Sequence, residues 1–389
     1  MEIIGIICEY NPLHLGHVSQ MARIRAALEE DSVLVCLMSG NYVQRGQPAL
    51  FDKMTRAKAA LACGADLVLE LPVTRALSSA EGFAEGGVEI LSKLCTRLSF
   101  GAENARREAL LQAAQALLSP AYPEKLRAAL DTGCSFAAAR QIALESMGIP
   151  AEIIRTPNNI LGVEYCKAIL RQGSSLIPEP IFRPGDYHAP EPDPQAPSAD
   201  AIRRLLTRGA SADAYFPAPA RPIFRDAPQY RLSAGERAVL ARLRAMTEED
   251  FQALPYGSEG LWRKLMHAAR QESSLEGIFA AVKSKRYAYT RISRMVMCAY
   301  LGITQDILAQ SVPYARVLGF TPAGRAVLKS GKRSMCLPNA GEDVPAPWQE
   351  RETAWTDLYQ LFRTDTPGKP GEEKRVRVIL QPSERSFFD

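Results

Sequence analysis

This chain lacks the features that mark several large classes of protein. No apolar run in its 389 residues approaches the ~20 that a helix needs to span a bilayer, so no membrane span is expected. The first residues carry no basic stretch ahead of an apolar one and no small-residue cleavage pattern. No secretory signal is therefore expected, and a cytoplasmic location is. The eight cysteines, at positions 8, 36, 63, 95, 134, 166, 298 and 336, never fall at C-x-x-C spacing. Most lie in apolar patterns, which suits reduced core thiols rather than disulfides. There are only four histidines, none spaced with a cysteine pair, so a zinc site is not expected. No internal repeat is visible. The net charge of +4 is too small to argue for a nucleic-acid partner by itself.

What is present is ordinary in bulk and unusual in one place. Hydrophobic residues make up 47% and charged residues 23%, the profile of a globular protein, and the length favours two domains. The unusual place is the stretch 3–17, IIGIICEYNPLHLGH. Its apolar run suits a buried strand of a parallel sheet, and Asn11-Pro12 marks a turn. His14-Leu15-Gly16-His17 then leads into a helical pattern of Val18, Met21, Ile24, Ala27 and Leu28. A strand-to-helix corner of this kind is where open α/β sheets bind nucleotides. The helix N-terminus offers free N–H groups to phosphate, Gly16 allows close approach, and imidazoles can donate to phosphate oxygens. A single histidine near a strand end is usually structural. Here two of only four fall together, which favours function.

Further strands are expected at 32–39, 67–71, 97–100 and 176–182, with helices between them. The loop after residue 39 carries Gln44 and Arg45, both able to reach the same sheet edge. Glu70 interrupts an apolar strand and needs a partner; a structural role is favoured. Helices are expected at 52–62, 78–94, 105–118, 123–147 and 160–170. Gly101 sits just past a strand end, and Thr156-Pro157-Asn158-Asn159 reads as a helix start. Arg183 leaves another strand end, where its guanidinium can hold phosphates; Pro184 to His188 follow. Ser198 opens a helix, as an N-cap or as a phosphate contact. Residues 209–231 hold four prolines and read as a linker. From 233 to about 303 every strong pattern is helical. Within it, Lys283 to Arg294, KSKRYAYTRISR, has five basic residues, two tyrosines and no acid. A charge run is usually a solvated face. Interleaved tyrosines and the absence of acids favour RNA contact, by phosphate neutralisation and base stacking. After residue 313 comes a mixed segment, and 364–374 is polar and rich in Gly and Pro.

Several of these stretches carry a resemblance: EYNPLHLGH, MSGNYVQRGQPALFDK, GADLVLELP, FGAEN, PNNILGVEY and KSKRYAYTRISR. HLGH is similar to the HxGH signature of a nucleotidyltransferase superfamily. Together the stretches resemble the bacterial tRNA(Met) cytidine acetate ligase family over nearly the whole chain. Ala102 stands where that family usually has Ser. The resemblance implies an α/β fold: a parallel-sheet, Rossmann-like nucleotidyltransferase domain over 1–208, the linker 209–231, and a mainly α-helical tRNA-binding domain over 232–389. It implies ATP as substrate, with Mg²⁺ bridging the phosphates, and acetate and elongator tRNA(Met) as the other partners, the tRNA through its anticodon wobble cytidine. The expected ATP contacts are Ile7, Cys8, Glu9, Tyr10, Asn11, Pro12, Leu13, His14, Leu15, Gly16, His17, Val18, Ser19, Gln20, Gly101, Asn158 or Asn159, Arg183 and Ser198. His14, His17 and Arg183 are the expected catalytic groups. The expected RNA contacts are Lys283, Lys285, Arg286, Tyr287, Arg291 and Arg294. Two other readings stay open at this point. One is an adenylyltransferase acting on a small phosphorylated metabolite; the other is a non-catalytic RNA-binding protein.

Overall fold

The computed structural model describes residues 2–27, 32–183, 193, 197–284, 287–331 and 334–382. The apolar runs form strands β1 (Ile3–Cys8), β2 (Val33–Ser39), β5 (Leu67–Leu71), β6 (Arg97–Ala102) and β7 (Ile177–Phe182). Between them, β3 (Tyr42–Val43) and β4 (Gln47–Pro48) make a small antiparallel hairpin. The main sheet also takes in β8 (Arg316–Phe320) and β9 (Ile379–Leu380), in the order β7-β6-β1-β2-β5-β8-β9. All pairings from β7 to β5 are parallel, and β8 runs antiparallel to β5. Every residue of β2 and β5 is buried, which is why their sequences are apolar runs with Ser39 and Glu70 as the exceptions.

The chain moves from β1 outward through β2 to β5. It then crosses to β6 on the opposite side of β1. The topological switch point therefore lies between β1 and β6, at their carboxyl ends, where such sheets leave a crevice. The helix Leu15–Ala27 starts there, after the turn at Asn11-Pro12.

Three expectations about organisation need correction. The region after 231 is mainly helical, and its apolar core, including Leu243, Leu265, Ile278, Met295 and Trp355, also takes in Tyr42, Val73 and Leu77. Yet β8 and β9 return from it to the main sheet. Glu70 finds its partners across this join. Lys53 Nζ lies 2.8 Å from Glu70 and 2.7 Å from Glu373, and Arg316 Nε lies 2.9 Å from Glu373. The segment 209–231 is packed rather than an open tether. Phe216 and Phe224 are buried, and Phe224 stacks on Phe51 with centroids 4.8 Å apart. The helix expected at 123–147 is broken at Gly133, whose φ of +81° ends Tyr122–Leu130 before Phe136–Glu145 begins. No helix among the described residues is long and apolar enough to cross a membrane.

Candidate active site

At the end of β1 the backbone of Tyr10 takes a positive φ of 44°, rare for a residue with a side chain. The Tyr10 ring turns into the core and meets His17 edge-on, centroids 4.9 Å apart. The next turn is pinned on both sides. Asn11 Oδ1 accepts the Leu50 N–H at 2.7 Å, and Arg203 donates to the Asn11 carbonyl at 2.6 Å.

His14 is 1% exposed, and its ring stacks on His17 with centroids 3.7 Å apart. Its Nδ1 accepts the Gly16 N–H at 3.1 Å, and His17 Nδ1 accepts the His14 N–H at 3.3 Å. A ring nitrogen that accepts carries no hydrogen, so both imidazoles must carry theirs on Nε2. Burial, above all, keeps both rings neutral. It holds His14 well below the usual histidine range, with help from His17 and Arg183, and pushes His17 down to about 3, with help from Arg183. The site thus presents neutral Nε2–H donors. His14 Nε2 is buried and meets no partner among the described residues. A buried donor without an acceptor is costly, and a phosphate oxygen would satisfy it. Gly16 suits this arrangement, because a Cβ there would lie 3.0 Å from the His14 ring and press on it.

These groups line a cavity of about 290 Å³ between the ends of β1 and β6. One wall is the loop 44–46. Glu9 Oε1 accepts the Gln44 N–H at 2.8 Å, and Gln44 and Arg45 line the cavity. Beneath them the fully buried Arg56 donates to the carbonyls of Glu9, Ser39, Gly40 and Phe51. One guanidinium thereby ties the ends of β1 and β2 together. The opposite wall holds Gly101, Asn158 and Arg183, with Arg183 Nη1 3.4 Å from Asn158 Oδ1. Asn158 Nδ2 donates to Glu103 at 2.7 Å.

The cavity brings together Ile7, Cys8, Glu9, Tyr10, Asn11, His14, His17, Gln20, Gly101, Asn158 and Arg183 from the expected set. Gly16 and Ser19 line a smaller adjoining cleft of about 60 Å³, where Arg23 also stands. Pro12, Leu13, Leu15, Val18, Asn159 and Ser198 line neither. Leu13 belongs to the core beneath. Asn159 is buried and holds the backbone of Asn104 and Glu152. Ser198 spends its hydroxyl capping the helix Ala199–Thr207, accepting the Ala201 N–H. Sequence reasoning missed the apolar walls, Phe83, Phe100, Leu161 and Tyr165, because their patterns read simply as core. It also missed Arg23.

The basic segment is largely engaged within the fold. Tyr287 is buried, and its hydroxyl donates to the Glu259 carbonyl at 2.6 Å. Arg291 pairs with Glu259 at 3.2 Å and donates to Tyr256 and Ser258. Arg294 is buried and donates to the Gln44 carbonyl at 3.3 Å. Beside it, Ser293 donates to the Gly46 carbonyl at 2.9 Å, and Gly46 has a φ of +75° and no room for a Cβ. Tyr287, Arg291, Ser293 and Arg294 thus hold structure together rather than offering a free basic face. Lys283 is exposed. Lys285 and Arg286 lie outside the described residues, as do residues 184–188.

A family model described as HIGH Nucleotidyl Transferase matches residues 1–367. A tRNA(Met) cytidine acetate ligase of Acetivibrio thermocellus is 34% identical over 98% of this chain and 100% of its own length. One of Syntrophotalea carbinolica is 36% identical over 87% of this chain and 84% of its own length. Among solved structures, apo Thermotoga maritima TmcAL superposes with a TM-score of 0.89 at 28% identity, covering 98% of this chain and 100% of that one. The same protein bound with alpha-thio ATP gives 0.86 at 29% identity, with the same coverage. This chain belongs to the HIGH nucleotidyl transferase family, among the tRNA(Met) cytidine acetate ligases.

Proposed function

We propose that this chain activates acetate with ATP and transfers the acetyl group to the N4 amine of the wobble cytidine of elongator tRNA(Met). The observation that carries the reading is the pair of neutral Nε2–H imidazoles in a buried cavity at the switch point, close enough to Arg183 for its charge to act on both. ATP lies with its phosphates toward His14, His17 and Arg183. An acetate oxygen attacks the α-phosphorus in line, and pyrophosphate leaves. Fixed donors aimed at the growing charge supply the catalysis, and no protein nucleophile is needed. The apolar side formed by Phe100, Leu161 and Tyr165 suits the adenine ring. Asn158, rather than Asn159, faces the nucleotide.

No three His, Cys, Asp or Glu converge on a metal site among the described residues. Mg²⁺ therefore enters as part of the substrate MgATP, on phosphate oxygens and water. In the second step the cytidine, unstacked from the anticodon, offers its amine to the acetyl carbonyl, and AMP leaves. Lys283, Lys285 and Arg286 are the residues proposed to neutralise tRNA phosphates. All three substrates are met in the cytoplasm. The test is ATP–pyrophosphate exchange with the purified protein. The reading requires exchange that depends on acetate; exchange supported by a phosphorylated metabolite instead, or none at all, refutes it.

A further inference from the structure

Forming an amide from the cytidine amine requires a base, because the attacking nitrogen must shed a proton. We infer that Glu9 is that base. The inference rests on the acetate ligase reading and adds to it a group for the second step.

Glu9 is the only carboxylate that lines the cavity among the described residues. The other candidates fail on chemistry. Each histidine already accepts a backbone N–H at Nδ1 and carries its hydrogen on Nε2. To serve as a base, either ring would have to switch tautomer and abandon that bond. The Cys8 thiol and the Tyr165 hydroxyl are held in their protonated forms by burial. The nearby acids are occupied outside the cavity. Glu103 takes hydrogen bonds from Thr156, Asn158 and the Asn159 N–H, and Asp200 is paired with Arg203 and Arg204.

Glu9 is also held as a base must be. Its carbonyl is fixed by Arg56 at 2.6 Å, and Oε1 is fixed by the Gln44 N–H at 2.8 Å. Those bonds leave Oε2 for the proton. Gln44 in turn belongs to the loop gripped by Ser293 and Arg294. In the step, the N4–carbon bond forms and the bond from the carbonyl carbon to the phosphate oxygen breaks. The electron pair leaves on AMP, and the N4 proton goes to the Glu9 carboxylate.

The test separates the two steps in Glu9→Gln, which keeps an oxygen for the Gln44 N–H but cannot take the proton. Acetyl-adenylate formation is measured by pyrophosphate release. Transfer is measured by single-turnover reaction of enzyme loaded with acetyl-adenylate against tRNA(Met). Transfer should fall on the order of 10²-fold further than formation does. Glu9→Asp, which keeps a shortened carboxylate, should recover part of the loss, and it carries the test if Glu9→Gln does not fold. Equal loss in both steps means a structural or Mg²⁺-holding role and overturns the proposal. So does transfer at the wild-type rate, which would leave the proton to the departing phosphate. Wild-type protein that forms no acetylcytidine would instead overturn the ligase reading.

Discussion

The rings of His14 and His17 stack at 3.7 Å, and the His14 N–H donates to His17 Nδ1, so each histidine fixes the other. Replacing His17 by Ala removes one donor and loosens its neighbour. ATP-dependent turnover should fall on the order of 10²–10³-fold, the usual cost of losing a transition-state donor. The fold should survive, because the sheet and its core do not depend on that ring. Near-normal pyrophosphate exchange in a folded His17→Ala protein would rule out the role.

The buried cluster that joins the two parts of the chain sets a pH dependence. Lys53 and Arg316 face three acids: Glu70, Glu373 and Glu352. Burial first, and then the charge of Glu70, push Glu352 up to about 7. Between 4.5, its ordinary value, and about 7, folded Glu352 holds a proton that the unfolded chain has released. Its contribution to stability is therefore full below 4.5 and lost as pH rises through 7. Glu352→Gln is neutral throughout and keeps an acceptor for Tyr314, whose hydroxyl lies 2.6 Å from Glu352. Its melting temperature should gain on wild type at pH 8 relative to pH 5. An unchanged gap between the two proteins at both pH values would contradict this.

The basic segment should divide under mutation. Arg291→Ala removes bonds to Tyr256, Ser258 and Glu259, so its main effect should be lower stability, by about 1–3 kcal/mol. Lys285→Ala with Arg286→Ala should leave the melting temperature near wild type. It should weaken tRNA binding and flatten its salt dependence, since fewer counterions are released. Filter binding across a salt series checks this; an unaltered slope would remove these two residues from the interface.

The division shows what a sequence can and cannot reveal. The HLGH corner was legible because polarity changes abruptly where an apolar strand ends. The parallel core was legible because β2 and β5 are buried on both faces. The partners of a cation were not legible. Arg56 reads as one of several basic residues on a helix, yet it binds four carbonyls. Arg294 reads as surface, yet it is buried against Gln44. β9 has two residues and joins the sheet only through β8, so no local pattern announces it. Ser198 lay between capping and phosphate contact, and only its bond to the Ala201 N–H favours the cap.

The order of events follows from where the groups stand. His14, His17, Asn158 and Arg183 line one cavity, whose lining residues all lie between Ile6 and Ala199. Nothing in that set needs RNA to be complete. With ATP and acetate but no tRNA, the protein should release pyrophosphate, slowly or only to the level of enzyme present, and retain acetyl-adenylate. Bound tRNA should then speed the second step, because an acyl-adenylate must be kept from water until the amine arrives. The loop 44–46 makes such coupling physical, since Ser293 and Arg294 grip it from the helix Tyr289–Leu301. Acetyl-coenzyme A should not replace ATP plus acetate, because the sequence holds no second nucleotide-binding motif. Mass spectrometry of tRNA cytidine after incubation with isotopically labelled acetate decides the matter. Label that arrives without ATP, or acetylation supported equally by acetyl-coenzyme A, would show that the cavity does not work in this order.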